Sequence, residues 1–196
     1  NAEADPQGEY DDWIEICNTS NASVNAAGLY LTDDPENPTR WQIPLHNAAI
    51  TRIPAHGYLP IWADSETSDS GLHAGFKLNA DGGCLYLLDS DGARLIDCVE
   101  FGRQLPNVSY GRYPDATGNW GCLTAATPGT ANAQAASGIV SEVRYSHERG
   151  FYTTSFALTL TCDTPDAAIY YTTDGSEPCQ AGGRSPTGIV YSNPIH

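Results

Sequence analysis

Four carboxylates crowd the start of the chain. Asp5, Glu9, Asp11 and Asp12 fall within eight residues, in the run Ala4-Asp5-Pro6-Gln7-Gly8-Glu9-Tyr10-Asp11-Asp12. Calcium takes about six to eight oxygens from carboxylates, carbonyls and water, so such a turn can gather a calcium shell. The spacing matches no EF-hand loop, and a solvated acidic turn is the plainer alternative. Calcium at Asp5, Glu9, Asp11 and Asp12 is the metal expectation. Asp89-Ser90-Asp91-Gly92 also has the look of a calcium loop, but without further spaced ligands it reads as a turn.

Catalytic signatures are missing. Neither GxSxG nor SxxK occurs, and Lys77 is the sole lysine. The five histidines, at 46, 56, 73, 147 and 196, show no HExxH or HxH spacing, and each is expected in a loop or at a strand edge. With twenty-four acidic residues, some close carboxylate pair is unavoidable and signals no glycosidase. Aromatic side chains can stack on sugars where several share an exposed face. Trp13, Trp41, Trp62 and Trp120 lie in strand-like runs and read as core, whereas Tyr10, Tyr113 and Tyr191 lie near turns and are the expected carbohydrate contacts. The sequons at Asn18, Asn21 and Asn107 carry little weight.

Six cysteines divide into Cys17, Cys84, Cys98 and Cys122, then Cys162 and Cys179. Even counts and the lack of CxxC spacing suit disulfides formed in an oxidising compartment, with buried thiols as the alternative. Cys162 and Cys179 can only pair with each other in the second group. In the first, Cys84 and Cys98 flank a hairpin almost symmetrically, which makes them cross-strand candidates and leaves Cys17 with Cys122.

The elements that hold these residues are strands. Gly8 to Asp34 reads as two strands and a polar loop: Trp13, Glu15 and Cys17 alternate with Ile14 and Ile16, the expected buried face, and Leu29 and Leu31 point away from Tyr30. Residues 58–63 form another strand, and Pro60 within it demands an edge or bulge position. Asp64 to Gly75 is polar and reads as a mobile surface loop. The Asp91-Gly92 pair turns a hairpin between Cys84–Leu88 and Ala93–Phe101, and Asp174-Gly175 turns another after Ile169–Thr173. Phe156, Leu158, Leu160 and Cys162 share a strand face.

Gly 19 and Pro 13, without any long apolar-periodic run, favour strands and turns, with almost no helix. No apolar run spans a membrane. The net charge of −15 repels phosphate backbones and makes nucleic acid a poor partner. Residues 1–133 hold six basic against eighteen acidic side chains, the rest three against six. The chain begins at Asn1 and contains no methionine, which reads as a processed or excised piece with targeting segments removed.

The runs DWIEICN, LTDDPENPTRWQIP, LHAGFKLNADGGCLYLLD, SYGRYPDATGNW and TPGTAN resemble a bacterial lamin tail domain, over residues 1–133. Residues 139–196, with YYTTDGSEP as the most specific string, resemble the C-terminal domain of chitobiases and β-hexosaminidases. The small polar stretch 134–138 reads as the linker between them. The resemblances imply an all-β chain of two tandem immunoglobulin-like β-sandwiches. Each domain also implies one further strand, ahead of the acidic loop in the first and after Ile195 in the second, so that open sheet edges could be completed by neighbouring copies or a partner. The functional expectation is a non-catalytic interaction, spacer or assembly module of a larger bacterial protein, extracellular or at the cell surface. Its partners would be neighbouring domains or copies of the chain, and the alternative is a carbohydrate-binding module for polysaccharide.

Overall fold

The alternation at residues 13–17 is realised as strand β1 (Trp13–Cys17) in a computed structural model that describes residues 3–136, 138–180 and 183–196. Backbone contacts divide the chain into two units, Asn1–Ser137 and Gly138–His196. Both are built of strands, and the one α-helix among the described residues is a single turn, α1 (Ala48–Thr51). The fold is all-β and immunoglobulin-like, as the sequence implies.

In the first unit β1 pairs antiparallel with β6 (Tyr58–Trp62). Ala63 N donates to Asp12 O (2.7 Å) and Asn18 N to Gly57 O (2.9 Å), which fixes the parity of the ladder. Ile14 and Ile16 therefore sit in hydrogen-bonded pairs with Ile61 and Leu59. Trp13, Glu15 and Cys17 sit in the non-hydrogen-bonded pairs, and their backbone groups point away from β6. Pro60 stands opposite Glu15, where its missing N–H removes no bond to β1, and on its other side the 72–74 segment bridges β6 at Trp62 and not at Pro60.

Ile14, Leu59 and Ile61 drop into a core shared with Leu31, Ile43, Ile53 and Phe76. Fully burying each such side chain is worth roughly 1.5–3 kcal/mol. The opposing layer is the sheet β4 (Trp41–Gln42), β3 (Tyr30–Thr32), β7 (Gly83–Leu88) and β8 (Leu95–Phe101), in that order. Leu31 is its innermost residue, with Leu85 and Leu87 packed beside it. The β7–β8 turn forms as expected. Gly92 takes φ +68°, and an added Cβ would approach Thr39 Cγ2 to 2.5 Å. Two short pairs complete the unit, β2 (Val24–Asn25) with β5 (Arg52–Ile53) and β9 (Tyr110–Tyr113) with β10 (Asn119–Cys122).

Three expectations change. The stretch from Asp64 to Gly75 is no free surface loop: Trp62 N donates to Leu72 O and Ala74 N to Trp62 O, burying Leu72, His73 and Ala74. A polar composition hid a run whose last residues fill the core. Of the expected linker, Ala136 N donates to Cys122 O and Thr124 N to Gln134 O, so residues 134–136 extend the β10 region. The alternation of Leu95, Asp97, Val99 and Phe101 with Ile96, Cys98 and Glu100 predicts one inward face for β8, but at the start of this terminal strand Leu95 and Ile96 are both exposed.

The second unit consists of two-residue ladders: β11 (Arg144–Tyr145) with β12 (Leu160–Thr161), β13 (Tyr170–Tyr171) with β16 (Ile189–Val190), and β14 (Cys179–Gln180) with β15 (Gly183–Arg184). Leu158 and Ile195 exchange both backbone hydrogen bonds (2.8 and 3.0 Å). Leu160 is buried and Gly175 turns the chain at φ +77°.

Asn18 closes the first strand. It is buried, and its amide donates to Ala22 O (2.8 Å), Ile53 O (3.3 Å) and Pro54 O (2.7 Å), while Oδ1 accepts from Ser20 N (3.0 Å). Its sequon is thus occupied by structural hydrogen bonds. Asn18→Ala would strand these carbonyls and is expected to cost roughly 1–3 kcal/mol, read as a lowered urea midpoint; an unchanged midpoint would remove Asn18 from the set of structural anchors.

Candidate functional site

Two features of the first unit gather chemistry. The first is an acidic nest. Asp5 Oδ1 accepts from Gln7 N (2.9 Å) and Glu9 N (2.7 Å), and Gly8, at φ +91°, donates to Asp5 O (3.1 Å). Gln7 Nε2 then reaches Ser70 O (3.1 Å) and Oγ (3.2 Å), tying this turn to the 64–75 segment. There Asp64, 2% exposed, meets Nδ1 of His73, 3% exposed, at 2.6 Å. Burial pulls the His73 pKa down, but the hydrogen bond and charge of Asp64, the Ser70 carbonyl and Asp5 outweigh it, so His73 ends above its ordinary value.

Donor atoms of Asp5, Glu9 and Asp11 lie within 4.8 Å of one another, as do those of Asp5, Asp64 and His73, and of Glu9, Glu66 and Asp69. The fold therefore brings together three of the four residues expected to hold calcium. Asp12 lies outside these groups, and its carbonyl serves the β1–β6 ladder. Glu66, Asp69 and the Asp64–His73 pair were not legible as members, because they sit over fifty residues away in sequence. Glu9 first, with Asp69, Asp64 and Asp11, pushes the Glu66 carboxyl above its ordinary value. Oxygen ligands of this kind suit a hard cation, while the buried His73–Asp64 hydrogen bond braces the 64–75 segment internally.

The second feature is a cavity of about 890 Å³ between the two layers, lined by β1, β8, β9 and the inner residues Leu29, Leu31, Leu85 and Leu87. Glu15 lies in its wall, accepting from Gly129 N at 2.6 Å. Burial, opposed by that hydrogen bond and assisted by the Asp115 charge, pushes Glu15 up to about 7. Burial and the same two carboxylates, Asp115 and Glu15, push the Cys17 thiol up, the reverse of an activated nucleophile. Tyr58 donates to Asp115, which raises the phenol.

Trp120, 37% exposed, departs from the core expectation. It stacks on Tyr110 at 5.8 Å with the Arg112 guanidinium 4.7 Å from its ring centre, and Arg112 is paired with Asp97 at 2.8 Å. Trp62 is buried as expected, and Trp13 and Trp41 are half-buried. Among the expected sugar contacts, Tyr10 and Tyr113 are exposed in the first unit. Tyr191 is half-buried in the second unit, accepting from Leu160 N (3.1 Å), its ring 6.5 Å from Tyr171. The denser aromatic group was not singled out from sequence: His147 stacks on Phe156 at 4.1 Å, Tyr152 lies 4.5 Å from Phe156, and Phe151 is fully exposed.

All six cysteines stand as thiols, Cys98 and Cys179 exposed, the others half-buried. Cys84 faces Glu100 and Tyr86 faces Cys98, so the expected hairpin pair shares one sheet face but is offset by two residues. Cys17 and Cys122 belong to different strand pairs, and Cys162 Sγ donates to Ser141 O (3.3 Å).

The sign of the Glu15 effect is fixed by its shift. An unfolded chain releases this proton near 4.5, the folded chain near 7, so the folded state binds more protons between those values and loses stability as pH rises through them. Glu15→Gln keeps an acceptor for Gly129 and cannot ionise. It is expected to raise the Tm above pH 7 and leave it nearly unchanged below pH 4.5, as followed by circular dichroism melts; equal shifts at both ends would show that ionisation is not the cause.

Residues 147–196 match the family model of the chitobiase/β-hexosaminidase C-terminal domain, an immunoglobulin-like module to which the second unit is therefore similar. Neither a curated protein nor a solved structure matches the chain.

Proposed function

We propose that this chain is a non-catalytic interaction and spacing module of a larger bacterial protein, placed outside the cell or at its surface. The observation that carries the reading is the family match at 147–196, since that domain is an accessory module of hexosaminidases and not the catalytic one. Residues 1–133 are read as its lamin-tail-like companion, on sequence runs that resemble that family. Neighbouring domains, or other copies of the chain, are its partners in this reading.

Carbohydrate binding is the second reading, favoured by exposed Phe151 and Tyr152, the latter packed on half-buried His147 and Phe156. The purified chain is expected to release no nitrophenol from 4-nitrophenyl N-acetyl-β-glucosaminide and to pass unretained through chitin and other insoluble polysaccharides. Turnover would overturn the non-catalytic reading. Retention abolished by Phe151→Ala and Tyr152→Ala would transfer the function to polysaccharide binding. Antibody detection is expected to find the parent protein in the medium or envelope fraction, and a cytosolic pool alone would contradict the location.

The calcium expectation at Asp5, Glu9 and Asp11 has its own test. Calcium at about millimolar concentration, the range of extracellular sites, is expected to raise the Tm, and chelator to reverse the rise. Asp5→Asn should abolish the response. A flat titration calorimetry trace with an unmoved Tm would remove calcium from the reading.

A further inference from the structure

The cavity of the first unit is bordered by strands with unused edges. Strand β1 pairs only with β6 among the described residues, and β9 only with β10. The backbone groups of Trp13, Glu15 and Cys17 point away from β6, as the ladder parity requires. Leu123 N donates to Ser109 O (2.9 Å), so in the β9–β10 ladder Gly111 and Tyr113 face their partners while Tyr110 and Arg112 turn outward. Asn132 Nδ2 takes up the Arg112 carbonyl (3.0 Å), leaving the Arg112 N–H and both groups of Tyr110 on that edge. Residues of both edges line the cavity.

Three further properties describe what fits there. The floor is apolar, from Leu29, Leu31, Leu85, Leu87 and Val99. The ionisable side chains of the wall include five acids, Glu3, Asp12, Glu15, Asp97 and Asp115, of which Glu15 holds its proton to about 7, against Arg112 alone, which is paired with Asp97. Arg112 Nε is buried without an acceptor.

We infer that the cleft between β1 and β9 takes up an extended strand from another polypeptide, apolar at alternate positions and basic at its ends. The strand would hydrogen-bond to both edges and join two two-stranded ladders into one sheet, with every second side chain entering the cavity. Its basic ends would answer the acidic wall. This deepens the interaction reading proposed above and rests on it.

The test uses the 196-residue chain and a synthetic peptide of alternating Val and Thr between paired lysines. Hydrogen exchange is expected to slow at the amides of Trp13, Glu15, Cys17, Tyr110 and Arg112, with a raised Tm. The same peptide methylated on alternate amide nitrogens should give no protection, and a version ending in glutamates should bind about tenfold more weakly at low salt. Val99→Glu, introducing a charge into the floor, should abolish binding. If that variant fails to fold, the peptide series decides alone. A scrambled peptide that protects the same amides equally well, or exchange that no peptide changes, would overturn the inference. So would concentration-dependent dimers that protect these amides without peptide, since a second copy would then fill the cleft. Failure of the interaction reading would appear separately, as glycoside turnover.

Discussion

The pairing of β1 with β6 is the constraint on which the first unit depends. Its parity sends Ile14, Ile16, Leu59 and Ile61 toward the core, gives Pro60 a place where it costs no hydrogen bond, and turns the free backbone groups of β1 away from β6. A one-residue slip of β1 would place Glu15 inward and turn the backbone groups of Ile14 and Ile16 away from β6, whereas the same slip taken up by β6 would put Pro60 in a hydrogen-bonded position. Burial of the isoleucines thus fixes more than stability: it decides which edge remains open and which side chains reach the cavity wall.

Charge is arranged around this frame in two distinct ways. In the acidic nest, buried Asp64 is hydrogen-bonded to His73 and backbone hydrogen bonds hold Asp5, so the carboxylates that remain toward water are Glu9 and Glu66, with Asp11 and Asp69 half-buried. In the cavity wall the same excess of acid is met by partial burial, and Glu15 answers by holding its proton to about 7. One acidic composition thereby yields an exposed carboxylate cluster at one place and a carboxyl that holds its proton to about 7 at another.

The two units differ in how their strands are secured. The first has strands of up to seven residues and a buried core drawn from both layers. The described strands of the second have two residues each, with Leu160 as its buried hydrophobic residue, so isolated backbone bridges such as Leu158 with Ile195 carry more of its order. Of its aromatic residues, exposed Tyr152 packs with half-buried His147 and Phe156.

Local pattern was enough for several conclusions. Period-two alternation located β1 and its buried face, Asp91-Gly92 placed the β7–β8 turn, the proline announced a position that gives β1 no ladder bond, and YYTTDGSEP pointed to the family that the comparison matches at 147–196. These signals are carried by residues adjacent in sequence, where sterics and alternation act directly. The Asp64–His73 pair, the acidic residues that join Asp5, the buried end of the 64–75 segment and the exposure of Leu95 and Trp120 were settled only by tertiary structure. Each depends on which strand lies beside which, and on whether a neighbour covers a given face, and a residue's type and immediate sequence do not encode that distance.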